Sequence, residues 1–272
     1  MLHRFTEKET ERYYDSEDEV YRALWDENGS VHWGLFDETT GTNFLDACAN
    51  LNTFMCSRAR LDASANVLDI GCGSGTTAIS LSRELGCSVT GIDLSGVRVD
   101  NAIEALRKET GEVINRMRFH KASATELPFE EGSFSHVWSQ ATFYHVPDKK
   151  AALQEAFRVL NKGGIFVFDD LTKPKSEISE GAQKYVYERL LYDTDFSFVS
   201  YQETLQEIGF RVVEAYDLSD HLRTSYECLA DLAGRGNEEH QERFQYLRKA
   251  YKETALAAER GEVGWAMFLC HR

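Results

Sequence analysis

Only three prolines punctuate the 272 residues, and no low-complexity or repeated stretch interrupts them. Linkers are built from such segments, so their scarcity leaves no evident boundary between independent domains. Also missing is any apolar run near the ~20 residues that a bilayer crossing needs. The first residues, Met1 to Lys8, carry charge where a secretory leader would carry an apolar core. These absences point to a cytoplasmic chain. The six cysteines (48, 56, 72, 87, 228 and 270) form no Cys-x-x-Cys pair and no zinc spacing with histidine. Free thiols are therefore expected, and no metal site. Positive charge is in short supply: 30 Lys and Arg against 45 Asp and Glu leave a formal charge of -15. The basic residues are scattered, so a nucleic acid or an anionic membrane would meet general repulsion. A small molecule is the expected partner.

What is present begins with Val67-Leu68-Asp69-Ile70-Gly71-Cys72-Gly73-Ser74-Gly75-Thr76. An aliphatic run ends in an acid, turns through three glycines and continues into Thr77-Ala78-Ile79-Ser80-Leu81. The pattern predicts strand, glycine loop and helix, the opening unit of a parallel sheet that binds ligands beyond its strand ends. Glycines permit positive φ and let a ligand touch the main chain without Cβ atoms in the way. A dinucleotide fingerprint would place glycines at 71, 73 and 76, but position 76 is Thr and the third glycine comes at Gly75. Cys72, inside the loop, reads as a small apolar filler. A second short strand, Ser88 to Ile92, ends in Asp93 eighteen residues past Gly75. An acid there can accept both hydroxyls of a ribose.

The tight Asp-x-Gly-x-Gly-x-Gly form resembles motif I of the class I S-adenosylmethionine (SAM) methyltransferases. Three further segments follow at that family's spacing. Phe119 to Phe129 resembles the adenine-binding segment, Gly132 to Gln140 a fourth strand, and Asn161-Lys162-Gly163-Gly164 a turn into strand five, Ile165 to Asp169. The resemblance implies a doubly wound, seven-stranded, mostly parallel Rossmann-like sheet whose last strand runs antiparallel, with a helical lid and cap. It divides one domain, 1–272, into an N-terminal lid and helices (1–60), a SAM-binding core (61–172) and cap helices with two final strands (173–272). It assigns the cofactor to Asp69, Gly71, Gly73, Gly75, Asp93, Leu94, Ser123, Ala124 and Gln140. Ser123 stands where the family usually carries Asp, so a neutral acceptor should meet the adenine amine and affinity should be modest.

Helical spacing around Asp18 to Trp25, a turn at Asn28-Gly29 and a helix from Phe44 to Leu61 describe the N-terminal part. After Asp170 the pattern is mostly helical to Ile208; Gly209 to Tyr216 reads as strand six, 222–260 as charged helix, and Val263 to Cys270 as the last strand. Arg12-Tyr13-Tyr14-Asp15, Tyr21, Trp25 and His32-Trp33-Gly34 resemble the lid of small-molecule methyltransferases such as the sarcosine/dimethylglycine and phosphoethanolamine N-methyltransferases. Tyr13, His32 and Trp33 are expected at the cofactor, because aromatic faces favour a sulfonium or a forming quaternary amine. His145, in the loop after strand four, matches a histidine that the phosphoethanolamine enzymes pair with an N-terminal tyrosine. Tyr14 is the expected partner, and His145 a base that titrates near 6.5. Asp169-Asp170 is one adjacent pair without an acid after strand four, too little for an octahedral magnesium site. The expected function is SAM-dependent methylation of a small soluble acceptor, most simply an amine nitrogen. O- or C-methylation of a secondary metabolite or quinone-type substrate, a non-catalytic SAM-binding protein and a dehydrogenase are the alternatives.

Overall fold

A computed structural model describes residues 5–192, 195–235 and 241–272. The N-terminal helix α1 (Glu7–Leu24) starts at a capping box in which Thr6 and Glu9 satisfy each other's backbone amides. It begins eleven residues, about three turns, before the spacing around Asp18 indicated. Helix α2 (Phe44–Ala59) is capped by Asn43 and ends one residue before a left-handed Arg60. The alternating core then runs β1 (Asn66–Ile70), α3 (Thr76–Leu85), β2 (Ser88–Asp93), α4 (Gly96–Arg107), α5 (Glu112–Arg116), β3 (Met117–Lys121), β4 (Phe134–Gln140), α6 (Lys149–Val159) and β5 (Leu160–Thr172). The C-terminal part supplies α7 (Glu180–Ala182), continued as a π-helix over Gln183–Glu188, then α8 (Phe198–Ile208), β6 (Arg211–Asp217), α9 (Ser219–Gly234), α10 (Gln241–Glu259) and β7 (Gly264–His271). The expected charged helix 222–260 is thus two helices, and its residues 236–240 lie outside those described, as do Met1 to Arg4 of the leader reading.

Among the described residues seven strands form one sheet in the order β3-β2-β1-β4-β5-β7-β6. Strands β1 to β5 are mutually parallel, and β7 inserts antiparallel between β5 and β6. Alternation sends successive side chains to opposite faces. Val67 and Val167 join a core with Trp138 and Trp265 on one face, while Leu68, Phe166 and Phe168 pack with Phe143 and Phe268 on the other. Both faces are covered, as a parallel sheet requires. The strand order reverses between β1 and β4, and the carboxyl ends beside that reversal are where such folds bind ligands. No helix among the described residues is long and apolar enough to cross a membrane.

Candidate active site

At the carboxyl edge of β1, β2 and β4 a groove opens beneath α1, in two halves that share Val31, Gly71, Arg98 and Gln140. Two glycines shape it. Gly71 has φ +78, and a Cβ there would lie 2.1 Å from Thr142 Oγ1. Gly75 has φ +79, and its Cβ would press on Phe119 and Ala102 within 2.9 Å. Asp93 secures the loop: its Oδ2 accepts from the Gly73 amide at 2.9 Å and its Oδ1 from the Ser95 amide at 2.8 Å. The apolar wall of the first half comes from Ile92, Leu94, Ala122 and Ala124.

Charge is concentrated on the groove floor. Asp69 is buried, and among the described residues no hydrogen-bond donor reaches its carboxylate. Burial first, and then the neighbouring Asp93, push its pKa up to about 7. Burial also raises the Asp93 carboxyl, with Arg98 opposing the shift. The Arg98 guanidinium lies 4.1 Å over the Tyr14 ring and 3.5 Å from Asp18 Oδ1, yet its buried Nε and Nη2 have no hydrogen-bond partner. Buried His32 presents an unpartnered Nε2 to the second half. Orphaned donors over a cradle that a Cβ would fill are what a zwitterionic, nucleoside-bearing ligand needs. The residues fit SAM.

After β4 the chain is bent through Ala141 at φ +50, a conformation that side chains other than glycine's rarely adopt. The two acids at the end of β5 hold this bend. Asp169 Oδ1 accepts from the Ala141 amide at 3.3 Å and from Trp265 Nε1 at 2.8 Å. Asp170 Oδ1 accepts from the Tyr144 amide at 2.8 Å, and its Oδ2 from Tyr201 at 3.1 Å and from Lys149 Nζ at 2.5 Å. Lys149 and Asp170 are both fully buried, with the ammonium 4.9 to 5.7 Å from the centroids of Tyr201, Phe196 and Tyr192. The pair is therefore built into the loop, whose next residues form a short 3-10 turn, Phe143–His145.

That turn delivers His145 to α1, where the Tyr14 hydroxyl meets its Nε2. The rings cross at 89° with centroids 4.9 Å apart, and the Tyr144 ring packs against the imidazole at 3.8 Å. Burial first, then the Arg98 charge, hold His145 well below the usual histidine range, so it is neutral at neutral pH. Behind the pair lies a packed aromatic cluster of Tyr13, Tyr21, Trp25, Tyr226 and Tyr251, with the buried Arg189 guanidinium 5.3 Å from the Tyr251 ring. Arg189 Nε donates to the Tyr185 carbonyl at 2.7 Å and Nη2 to Thr254 Oγ1 at 3.4 Å; among the described residues Nη1 has no hydrogen-bond partner and the guanidinium no carboxylate.

The first half of the groove gathers Tyr14, Gly71, Asp93, Leu94, Ala124, Gln140 and His145, and the second His32, Asp69, Gly71, Gly73 and Gln140. Four expected residues do not line it. Trp33 sits in the core, its ring packed against Tyr144, Tyr226 and Trp265, where its large apolar surface is buried. Tyr13 turns away, with its hydroxyl 2.8 Å from that of Tyr21. Gly75 caps α3 behind the loop. Ser123 spends its hydroxyl on Glu7 Oε1 at 2.6 Å and on Thr125 at 2.7 Å. Glu7, Thr10, Arg98 and Thr142 also line the groove and were not expected there from the sequence. The signal for Arg98 was its place one turn into the helix that follows Asp93, facing back onto the glycine loop.

Residues 68–168 match the methyltransferase domain family model. The chain is 29% identical over 268 residues to a sarcosine/dimethylglycine N-methyltransferase of Halorhodospira halochloris, covering 94% of this chain and 93% of that protein. It is 30% identical over 256 residues to the 27-O-demethylrifamycin SV methyltransferase of Amycolatopsis mediterranei, covering 93% and 88%. Among solved structures, phosphoethanolamine N-methyltransferase 2 of Haemonchus contortus, in complex with phosphomonomethylethanolamine and S-adenosylhomocysteine, superposes with a TM-score of 0.82 at 20% identity. The match covers 98% of this chain and 59% of that one.

Proposed function

The chain belongs to the SAM-dependent methyltransferases, and within them we propose that it methylates the nitrogen of a small amine that also bears a carboxylate or phosphate. The observation that carries this reading is the Tyr14–His145 pair at the groove, whose imidazole feels the charge of Arg189, a guanidinium buried without a carboxylate partner among the described residues. A buried cation without a counter-charge is costly, and the open Nη1 of Arg189 is the donor that an anion would take. The likeness to a sarcosine/dimethylglycine N-methyltransferase supports the same class of acceptor. O-methylation is the second reading, supported by the likeness to a rifamycin methyltransferase.

Bound SAM supplies a methyl group activated by its positive sulfur. Asp93 would hold the ribose hydroxyls, Ile92, Leu94, Ala122 and Ala124 would flank the adenine, and Asp69 would meet the ammonium of the amino-acid end. Arg98 and His32 offer their unpartnered nitrogens to the oxygens of that end. Tyr14, Tyr21 and Trp25 set aromatic faces around the acceptor nitrogen, where positive charge develops. Closure of α1 excludes water and fixes the in-line approach, the main contributions of the protein to a displacement. The Tyr14 hydroxyl receives the acceptor's proton while passing its own to His145 Nε2. An anion at Arg189 cancels one of the charges that keep His145 neutral, so acceptor binding itself makes the base stronger.

Calorimetry on protein loaded with S-adenosylhomocysteine tests the reading. An N-methylated amino acid should bind at least about tenfold more tightly than its amide, the effect of a charge-assisted contact. Equal affinities would remove Arg189 from the acceptor site.

A further inference from the structure

Along α1, Glu7, Glu11, Asp15 and Asp18 recur every three or four residues and form one acidic face. Each acid docks on an element of the cofactor groove. Glu11 pairs with Lys121 at the end of β3, Asp15 Oδ1 accepts from Ser95 at 2.6 Å, and Asp18 Oδ2 accepts from Asn101 at 2.8 Å. Glu7 differs from the other three because its side chain lines the groove. Its Oε1 accepts from Ser123 at 2.6 Å and from Thr125 at 3.1 Å. Among the described residues no donor reaches Oε2. Two hydroxyls thus fix the carboxylate through one oxygen and leave the other for a ligand.

The half of the groove that Glu7 borders has an apolar wall of Ile92, Leu94, Ala122 and Ala124 and one other acid, Asp93. A purine ring suits such a wall and carries one outward donor, the exocyclic amine. We propose that Glu7, supplied by the lid, accepts from the adenine amine of SAM and is the residue by which this enzyme recognises adenine. Ser123 and Thr125 are positioning residues that aim its carboxylate. The cofactor then helps to close α1, and a closed α1 strengthens cofactor binding by the same factor.

The test needs no turnover. Calorimetry compares S-adenosylhomocysteine with S-inosylhomocysteine, in which a carbonyl oxygen replaces the amine. The unmodified protein should prefer the adenosyl compound by at least about tenfold, because the inosyl form loses a charge-assisted bond and turns an acceptor toward a carboxylate. Glu7→Ala and Glu7→Gln should bring that ratio close to one. Glu11→Ala removes the neighbouring tie to Lys121 without touching the groove, so it should weaken both compounds alike and keep the ratio. The proposal is overturned if the unmodified protein does not discriminate, or if both Glu7 variants keep its full preference. Because no acceptor is present, neither result bears on the amine reading.

Discussion

The hydroxyl of Tyr14 meets Nε2 of His145 across 131 positions of sequence, joining the lid to the loop after β4. On the reading proposed above, this contact makes closure of α1 and completion of the Tyr14–His145 pair one event. His145→Asn should therefore lower turnover by about 10²–10⁴-fold while the affinity for SAM stays near normal. The pH profile differs from that of a free imidazole. With His145 held well below its ordinary value, activity should stay flat through pH 6.5 and fall only at lower pH. Stability should follow the same group. Below about 6.5 the unfolded histidine takes up a proton that the folded one refuses, so the folded state loses stability as pH drops toward the folded value. An acidic limb centred at 6.5 would place His145 in solvent.

Asp93→Ala should weaken SAM binding by tenfold or more, since bonds to a charged acceptor contribute about 1.5–3 kcal/mol each. The loss has two sources: the ribose contacts and the Gly73 amide that Asp93 holds in place. Calorimetry with S-adenosylhomocysteine checks it, and an unchanged dissociation constant would leave Asp93 as a support of the glycine loop alone, since Ser95 caps α4.

Asp69→Asn should separate stability from function. The carboxyl of Asp69 has a folded value raised to about 7, so the folded state binds its proton more readily than the unfolded chain does. That contribution is present at low pH and is lost as pH rises through about 7. The substitution should therefore raise the Tm of the ligand-free protein more at pH 8 than at pH 5, while weakening SAM binding. Equal melting gains at both pH values would contradict the assignment.

Much of this arrangement was legible in the sequence. The glycine loop, Asp93, the parallel core and the inserted final strand each carry local patterns in which backbone need dictates residue type. Gly71 could be read because any side chain there collides with Thr142. The lid was harder. Its residues obey helical spacing, but whether an aromatic ring faces groove or core depends on tertiary packing: Tyr14 enters the groove, while Tyr13 and Trp33 do not. Ser123 looked like a weak adenine acceptor because its partner, Glu7, lies 116 residues away. Arg189 belongs to a stretch whose π-helical start has no sequence signature, so nothing local marked it as a buried cation.

Lys149→Met should destabilise the fold by roughly 3–5 kcal/mol, because it leaves Asp170 buried without its counter-charge. Adding Asp170→Asn removes that charge and should restore a substantial part of the loss in denaturant melts. It should also blunt catalysis, as the Asp170 carboxylate anchors the Tyr144 amide beside His145. Additive losses in the double variant would mean that the two side chains do not act as a pair.

Acceptor chemistry is tested most directly by incubating the enzyme with methyl-labelled SAM and three matched pools: amines bearing carboxylate or phosphate, the same amines with the anion masked, and phenols. Mass spectrometry reads the label, and fragmentation reads the atom that carries it. The label should appear on nitrogen in the first pool, with far less in the second and none in the phenols. Label on oxygen alone, or equal labelling of masked and unmasked amines, would contradict the roles given to Arg189 and the Tyr14–His145 pair.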